Sequence, residues 1–279
     1  MSRHAKTIRL IDGAAAILAE HQPMTLRQVF YQLVSRQVVE NSRSSYQSLS
    51  KALVAARREG LIPWEWIEDR LRQPRPVAMW DDLADLAKYV VISYRRDVWA
   101  TQTAYVEVWL EKDALSGIFE DALAPFGVTL NVGRGYDGWD SIHNAAERYG
   151  TGEGVTVIYF GDFDPSGEDM VRSLVERLAD FGCRPEMIKV ALTRDDIERY
   201  DLPPDFTKTT DSRRAAFIAK HGDISVELDA LPIDVLKARI VDEVEARMNL
   251  DALAEVQATE QTERRALISW SQQLDGARP

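Results

Sequence analysis

The chain has 279 residues and a formal net charge of −11 at pH 7, with 45% hydrophobic and 28% charged side chains. That length can bury at least one full core, and two domains are the natural expectation. No apolar run approaches the roughly 20 residues that span a bilayer, the N-terminus lacks a signal-peptide core, and one cysteine, Cys183, excludes an internal disulfide or a Cys-cluster zinc site. A cytoplasmic protein without a membrane partner is expected, and any metal in it would be held by oxygen.

Residues 1–75 hold 12 Lys+Arg against 7 Asp+Glu, leaving 22 against 38 for the rest, so only the N-terminal part attracts phosphate. Ile8, Ile11, Ala15 and Leu18 recur at helical spacing over Ala5 to Glu20, and His21-Gln22-Pro23 breaks that helix. Thr25 is placed to cap a second helix, Leu26 to Ser35, with Leu26, Phe30 and Leu33 inward. After the turn Asn41-Ser42-Arg43-Ser44, a third helix over Ser45 to Glu59 carries a stripe of Tyr46, Leu49, Leu53 and Ala56. Lys51, Arg57 and Arg58 project from its other faces. Gly60 stops it, and Leu61-Ile62-Pro63 reads as a short strand.

Three helices and an extended piece in a basic segment match a winged-helix variant of the helix-turn-helix. Its third helix would read double-stranded DNA through Lys51, Arg57 and Arg58. A small bundle with a solvated basic face fits the same pattern. Trp64 to Leu71 reads as helix, Gln73-Pro74-Arg75-Pro76 as a linker, and Trp80 to Val91 as a bridging helix. The division is then 1–75, a bridge over 76–100, and 101–279.

From Ala104 strands and helices alternate, as in a doubly wound, mostly parallel sheet. Strand Tyr105 to Leu110 ends on Glu111 and precedes a helix over Asp113 to Leu123. Strand Val128 to Val132 runs through the glycine-rich turn Gly133 to Gly138 into a helix over Trp139 to Tyr149. Val155 to Phe160 is a continuously apolar run, as expected of a strand covered on both faces, and leads into Gly161-Asp162-Phe163-Asp164-Pro165. Side chains two apart on an extended backbone point the same way, so Asp162 and Asp164 can converge on one hard cation beyond the strand's carboxyl end. The same residues fit a plainer role, with Asp164 as N-cap and Pro165 at the first position of a helix over Ser166 to Phe181. A strand over Met187 to Leu192 and helices over Asp234 to Met248 and Asp251 to Leu274 complete the expected elements.

Leu110-Glu111-Lys112 followed by Gly161 to Gly167 resembles the Toprim domain of topoisomerases, primases and related nucleases. That resemblance implies that Glu111, Asp162 and Asp164 hold Mg²⁺. Leu26-Arg27-Gln28-Val29-Phe30-Tyr31 is similar to the Arg-x-x-(Phe/Tyr)-Tyr signature of topoisomerase VI A subunits and related meiotic double-strand-break proteins, in which the last tyrosine attacks DNA. Gly133-Arg134-Gly135-Tyr136 resembles a Gly-x-Gly-Tyr-Pro turn of the same subunits, with Asp137 where the proline would stand. Val226 to Leu231 is similar to surroundings of their Toprim region.

The resemblance implies a Mg²⁺-dependent DNA-cleaving enzyme in which Tyr31, assisted by Arg27, becomes joined to a DNA 5′ end. It also implies a homodimer in which one protomer's tyrosine meets its partner's acids. No phosphate-binding Gly-x-x-x-x-Gly-Lys-(Ser/Thr) loop is present, so strand passage would require a separate ATPase subunit. Two other readings stand beside this one: hydrolysis by a metal-activated water without a covalent intermediate, and a non-catalytic DNA-binding or scaffold protein. Without a family, Tyr31 reads as a residue packed at the core edge with its hydroxyl wet.

Overall fold

Two helix starts in the N-terminal part are set by hydroxyl caps. A computed structural model describes residues 5–68, 77–133, 138–204 and 213–276. Helix α1 covers Ala5–His21. Helix α2, Leu26–Ser35, opens on a capping box in which Thr25 Oγ1 accepts from the Gln28 amide and Gln28 Oε1 accepts from the Thr25 amide. Helix α3, Arg43–Arg58, begins two residues before its expected start, because Ser42 Oγ accepts the Ser45 N–H at 3.2 Å. It ends where Gly60 takes φ 76° and Leu61 N–H reaches back to Ala56 O, a left-handed stop suited to glycine.

The strand expected at 61–63 is not formed. Pro63 has no N–H to donate, Ile62 is instead buried, and the pairing falls on a single parallel bridge between Met24 and Ile67. Among the described residues of the helix expected over Trp64 to Leu71, only Trp64–Trp66 coil, as one tight turn. Residues 69–76, with the expected linker, lie outside the described residues.

Helix α4, Leu83–Ser93, starts where Asp82 caps the Asp85 amide and packs lengthwise on the last helix, α11, Leu250–Gly276. The two are joined just past α4, where Arg96 meets Glu263 at 2.6 Å and Arg264 donates to Tyr94 O at 2.7 Å.

Between them in the chain comes a four-stranded, all-parallel sheet, order β2-β1-β3-β4, made of β1 (Tyr105–Leu110), β2 (Thr129–Val132), β3 (Val155–Phe160) and β4 (Glu186–Ala191). In register, Leu110 stands beside Phe160, so β1 and β3 end level. Alternation sorts their side chains. Val106, Val108, Leu110, Ile158 and Phe160 pack with helices α5 (Ser116–Leu123) and α10 (Ile233–Glu245), and this cluster runs on without a break into α1, α2 and α3. Trp109, Val157 and Tyr159 face helices α6 (Trp139–Tyr149) and α7 (Pro165–Asp180). Burial of Phe119 against Phe160, edge to face at 4.8 Å, contributes about 2–3 kcal/mol per ring.

With α5 on one face and α6 and α7 on the other, the winding reverses between β1 and β3. That is the topological switch point, where open α/β sheets receive ligands. Two short helices, α8 (Arg194–Arg199) and α9 (Arg214–His221), were not expected. No helix among the described residues is long and apolar enough to cross a membrane.

One acid inside the sheet is structural. Glu107 on β1 is fully buried and accepts from Tyr149 Oη at 2.6 Å, Trp109 Nε1 at 3.1 Å and Arg148 Nη2 at 2.8 Å. A buried carboxylate needs such a complete set of donors.

Candidate active site at the switch point

Glu111 and Asp162 meet where β1 and β3 end. Glu111 continues β1 by donating its N–H to Phe160 O at 2.9 Å, and its Oε2 accepts the Asp162 amide at 2.9 Å. Gly161 leaves room for this contact, since a Cβ at that position would stand 2.5 Å from Glu111 Oε2 and displace that carboxylate. The Asp162 carboxylate is buried, and its Oδ1 accepts the Leu228 amide at 2.7 Å and lies 2.9 Å from Lys112 Nζ. Asp164 takes the plainer role. Its Oδ1 accepts the Gly167 amide at 2.6 Å, capping α7 with Pro165 at the first position.

Burial, with the Asp162 and Asp164 charges nearby, pushes the Glu111 carboxyl up to about 7. Burial likewise lifts Asp162 to about 6, against the pull of Lys112. The Lys112 ammonium is shared among Asp162, Glu227 Oε2 at 2.9 Å and Asp229 Oδ2 at 2.7 Å. Its own pKa is raised because these three acids outweigh its burial. Glu227 is half-buried, yet Lys112 and Arg27 hold it down to about 2. Asp229 Oδ1 is buried without a hydrogen-bond partner.

Tyr31 is 7% exposed, on the α2 face that docks against residues 228–231, where Ser35 Oγ donates to Ala230 O at 3.3 Å. Its ring lies edge to face with Phe30 at 5.3 Å, and its phenol is close enough to the Glu227 carboxylate to feel its charge. Burial and then Glu227 push the phenol above its ordinary range. Arg27 sits 5.7 Å from the ring centroid, bonds Glu227, and lies 3.6 Å from Asp229. Within a single chain, Tyr31 is thus linked to Asp162 through Glu227 and Lys112.

Lys112, Glu227 and Asp229 are site residues that the sequence reading did not single out. The available signal was the alternation of acids with apolar residues in Val226-Glu227-Leu228-Asp229-Ala230, although Leu228–Ala230 form a single 3-10 turn and not an extended segment. On α3, Lys51 and Arg58 are exposed. Arg57 donates to Trp64 O and to Ile67 O at 3.0 Å and stacks on Trp64 at 4.2 Å. Residues 134–137 of the glycine-rich turn lie outside the described residues.

Among the described residues no three His, Cys, Asp or Glu side chains converge as a ready ligand cage. The charge balance nevertheless fits a divalent ion. Four acids, Glu111, Asp162, Glu227 and Asp229, face two cations, Arg27 and Lys112. Asp164 nearby adds a fifth acid, so carboxylates outnumber cations here, and the donors are hard oxygens.

No protein-family model and no curated protein matches the sequence.

Proposed function

We propose that the chain is a Mg²⁺-dependent DNA-cleaving enzyme of the topoisomerase VI A type, with a winged-helix part over α1 to α3, a Toprim-like sheet, and Tyr31 as nucleophile. The observation that carries this reading is the meeting of Glu111 and Asp162 at the switch point, with Tyr31 tied to Asp162 through Glu227 and Lys112. Glu111 and Asp162, with the second oxygen of Asp164, would hold the ion. Bound Mg²⁺ supplies charge stabilisation at a phosphate oxygen. Tyr31 Oη forms a bond to phosphorus as the P–O3′ bond breaks, which leaves a 5′-phosphotyrosyl link and a free 3′ end. The phenolic proton passes to a base, and the departing 3′ oxygen takes a proton from water. Arg27 is the cation placed to steady the phenolate.

A second reading, hydrolysis by metal-activated water, is favoured by one specific observation. Tyr31 is buried against an ionised Glu227, an arrangement that keeps the phenol protonated. The non-catalytic DNA-binding or scaffold reading has no comparable support, because buried acids short of cations are costly to keep without use. A cytoplasmic homodimer acting on double-stranded DNA, with a separate ATPase subunit for strand passage, belongs to the same proposal. The test is incubation of supercoiled plasmid with Mg²⁺. Protein-linked DNA ends that disappear in Tyr31→Phe support the covalent reading. Undiminished cutting by Tyr31→Phe supports hydrolysis, and cutting unaffected by Asp162→Ala rules out both.

A further inference from the structure

A cavity of about 250 Å³ opens beside Tyr31, lined also by Asn41, Ser42 and Arg43. It is smaller than the roughly 300–1,000 Å³ typical of pockets for drug-sized ligands, and so suits a fragment of a chain. Arg43, the first residue of α3, is exposed and makes no hydrogen bond or ion pair among the described residues. Arg27, by contrast, is committed to Glu227 and Asp229. The N-terminal end of α3, capped by Ser42, adds partial positive charge to the same wall.

A second cavity, about 510 Å³, lies on the other side of the same turn and is lined by Lys6, Arg9, Val38, Glu40 and Ser45 among others. Lys6 and Arg9 are exposed and make no ion pair among the described residues. With Glu40 counted, the two cavities carry a local excess of positive charge apart from the engaged Arg27.

Resting on the DNA-cleaving reading, we infer that the strand delivered to Tyr31 crosses the N-terminal end of α3, with a phosphodiester on Arg43 and its continuation on Lys6 and Arg9. It does not track the outer face of α3. At 1.5 Å per residue Arg58 lies about 22 Å along the helix from Arg43. A phosphate within reach of Tyr31 is therefore held at the Arg43 end. Phosphate contacts of this kind position a strand without reading its sequence.

The experiment is fluorescence anisotropy of a labelled duplex in a salt series without divalent ions, for wild type, Arg43→Ala, Lys6→Ala/Arg9→Ala and Lys51→Ala/Arg58→Ala. All of these side chains are exposed, and circular dichroism checks the fold. Arg43→Ala is expected to weaken binding on the order of tenfold and to lower the slope of log K against log salt by about 1, the Lys6/Arg9 pair by about 2. The Lys51/Arg58 pair is expected to change affinity by less than about threefold. Wild-type affinity in Arg43→Ala, beside a normal salt slope for wild type, overturns the path and leaves the DNA-cleaving reading intact. No salt-dependent duplex binding by wild type overturns both. Saturable binding of a mononucleotide or inorganic phosphate, lost in Arg43→Ala without any duplex binding, assigns the cavity to a free phosphate ester and overturns the strand path.

Discussion

Lys112 Nζ lies 2.9 Å from Asp162 Oδ1, so the acid at the switch point already has an internal cation. The same ammonium neutralises Glu227 and Asp229. Lys112→Met leaves the buried Asp162 without its cation and the buried Asp229, with Glu227, facing Arg27 alone, which should cost about 3–5 kcal/mol. Urea denaturation measures it, and a loss below about 1 kcal/mol contradicts the cluster's role.

Stability should depend on pH with a defined sign. In the folded chain Glu111 titrates near 7 rather than its ordinary 4.5, and Asp162 near 6 rather than 3.8. Between those values the folded state binds more protons than the unfolded one, so stability falls as pH rises from about 4 to 7. The expected loss is about 2–3 kcal/mol in chelator. Glu227, held down to about 2, acts in the opposite direction, and only below about pH 4. Millimolar Mg²⁺ should raise the melting temperature more at pH 8 than at pH 5, and Glu111→Gln should flatten the profile. Equal stability from pH 4 to 8 without metal contradicts this.

The phenol of Tyr31 should stay protonated above its ordinary range near 10, because burial and Glu227 both oppose its ionisation. Glu227→Gln removes the anion that opposes ionisation and should bring the phenol down. Carbon-13 tyrosine resonances, assigned with Tyr31→Phe, measure both. A phenol titrating identically in wild type and Glu227→Gln contradicts the contact.

Gly161→Ala places a methyl 2.5 Å from Glu111 Oε2 and 2.6 Å from Tyr159 Cε1. Glu111 must move, at a cost of about 1–3 kcal/mol and with loss of divalent binding. Gly138→Ala meets nothing within 4 Å and serves as the control. Equal calorimetric Mg²⁺ affinity in the two variants contradicts the close approach.

Much of this architecture was legible because local signals agreed. Thr25 and Gln28 mark the start of α2, and the all-apolar run Val155 to Phe160 is a strand covered on both faces, as found. The acids were legible as strand ends, but their orientation was not. Asp164 had two roles open to it, and Pro165 with the free Gly167 amide drew it into capping. Lys112 is over a hundred residues from Glu227 and Asp229 in the chain, so their cluster exists only after the segment at 226–231 packs on α2 and pairs with Phe163 just beyond β3. Likewise Arg57 read as a free cation on α3, whereas the chain after Pro63 folds back to present two carbonyl oxygens to it.

The central claim is that Glu111 and Asp162 together hold a divalent ion at the end of β1 and β3. Mn²⁺ binding followed by electron paramagnetic resonance, for wild type, Glu111→Gln and Asp162→Asn at pH 8, tests it without any DNA. The expected result is saturable binding by wild type, displaced by Mg²⁺ and weakened at least about tenfold in each variant. Equal binding by wild type and both variants would contradict it.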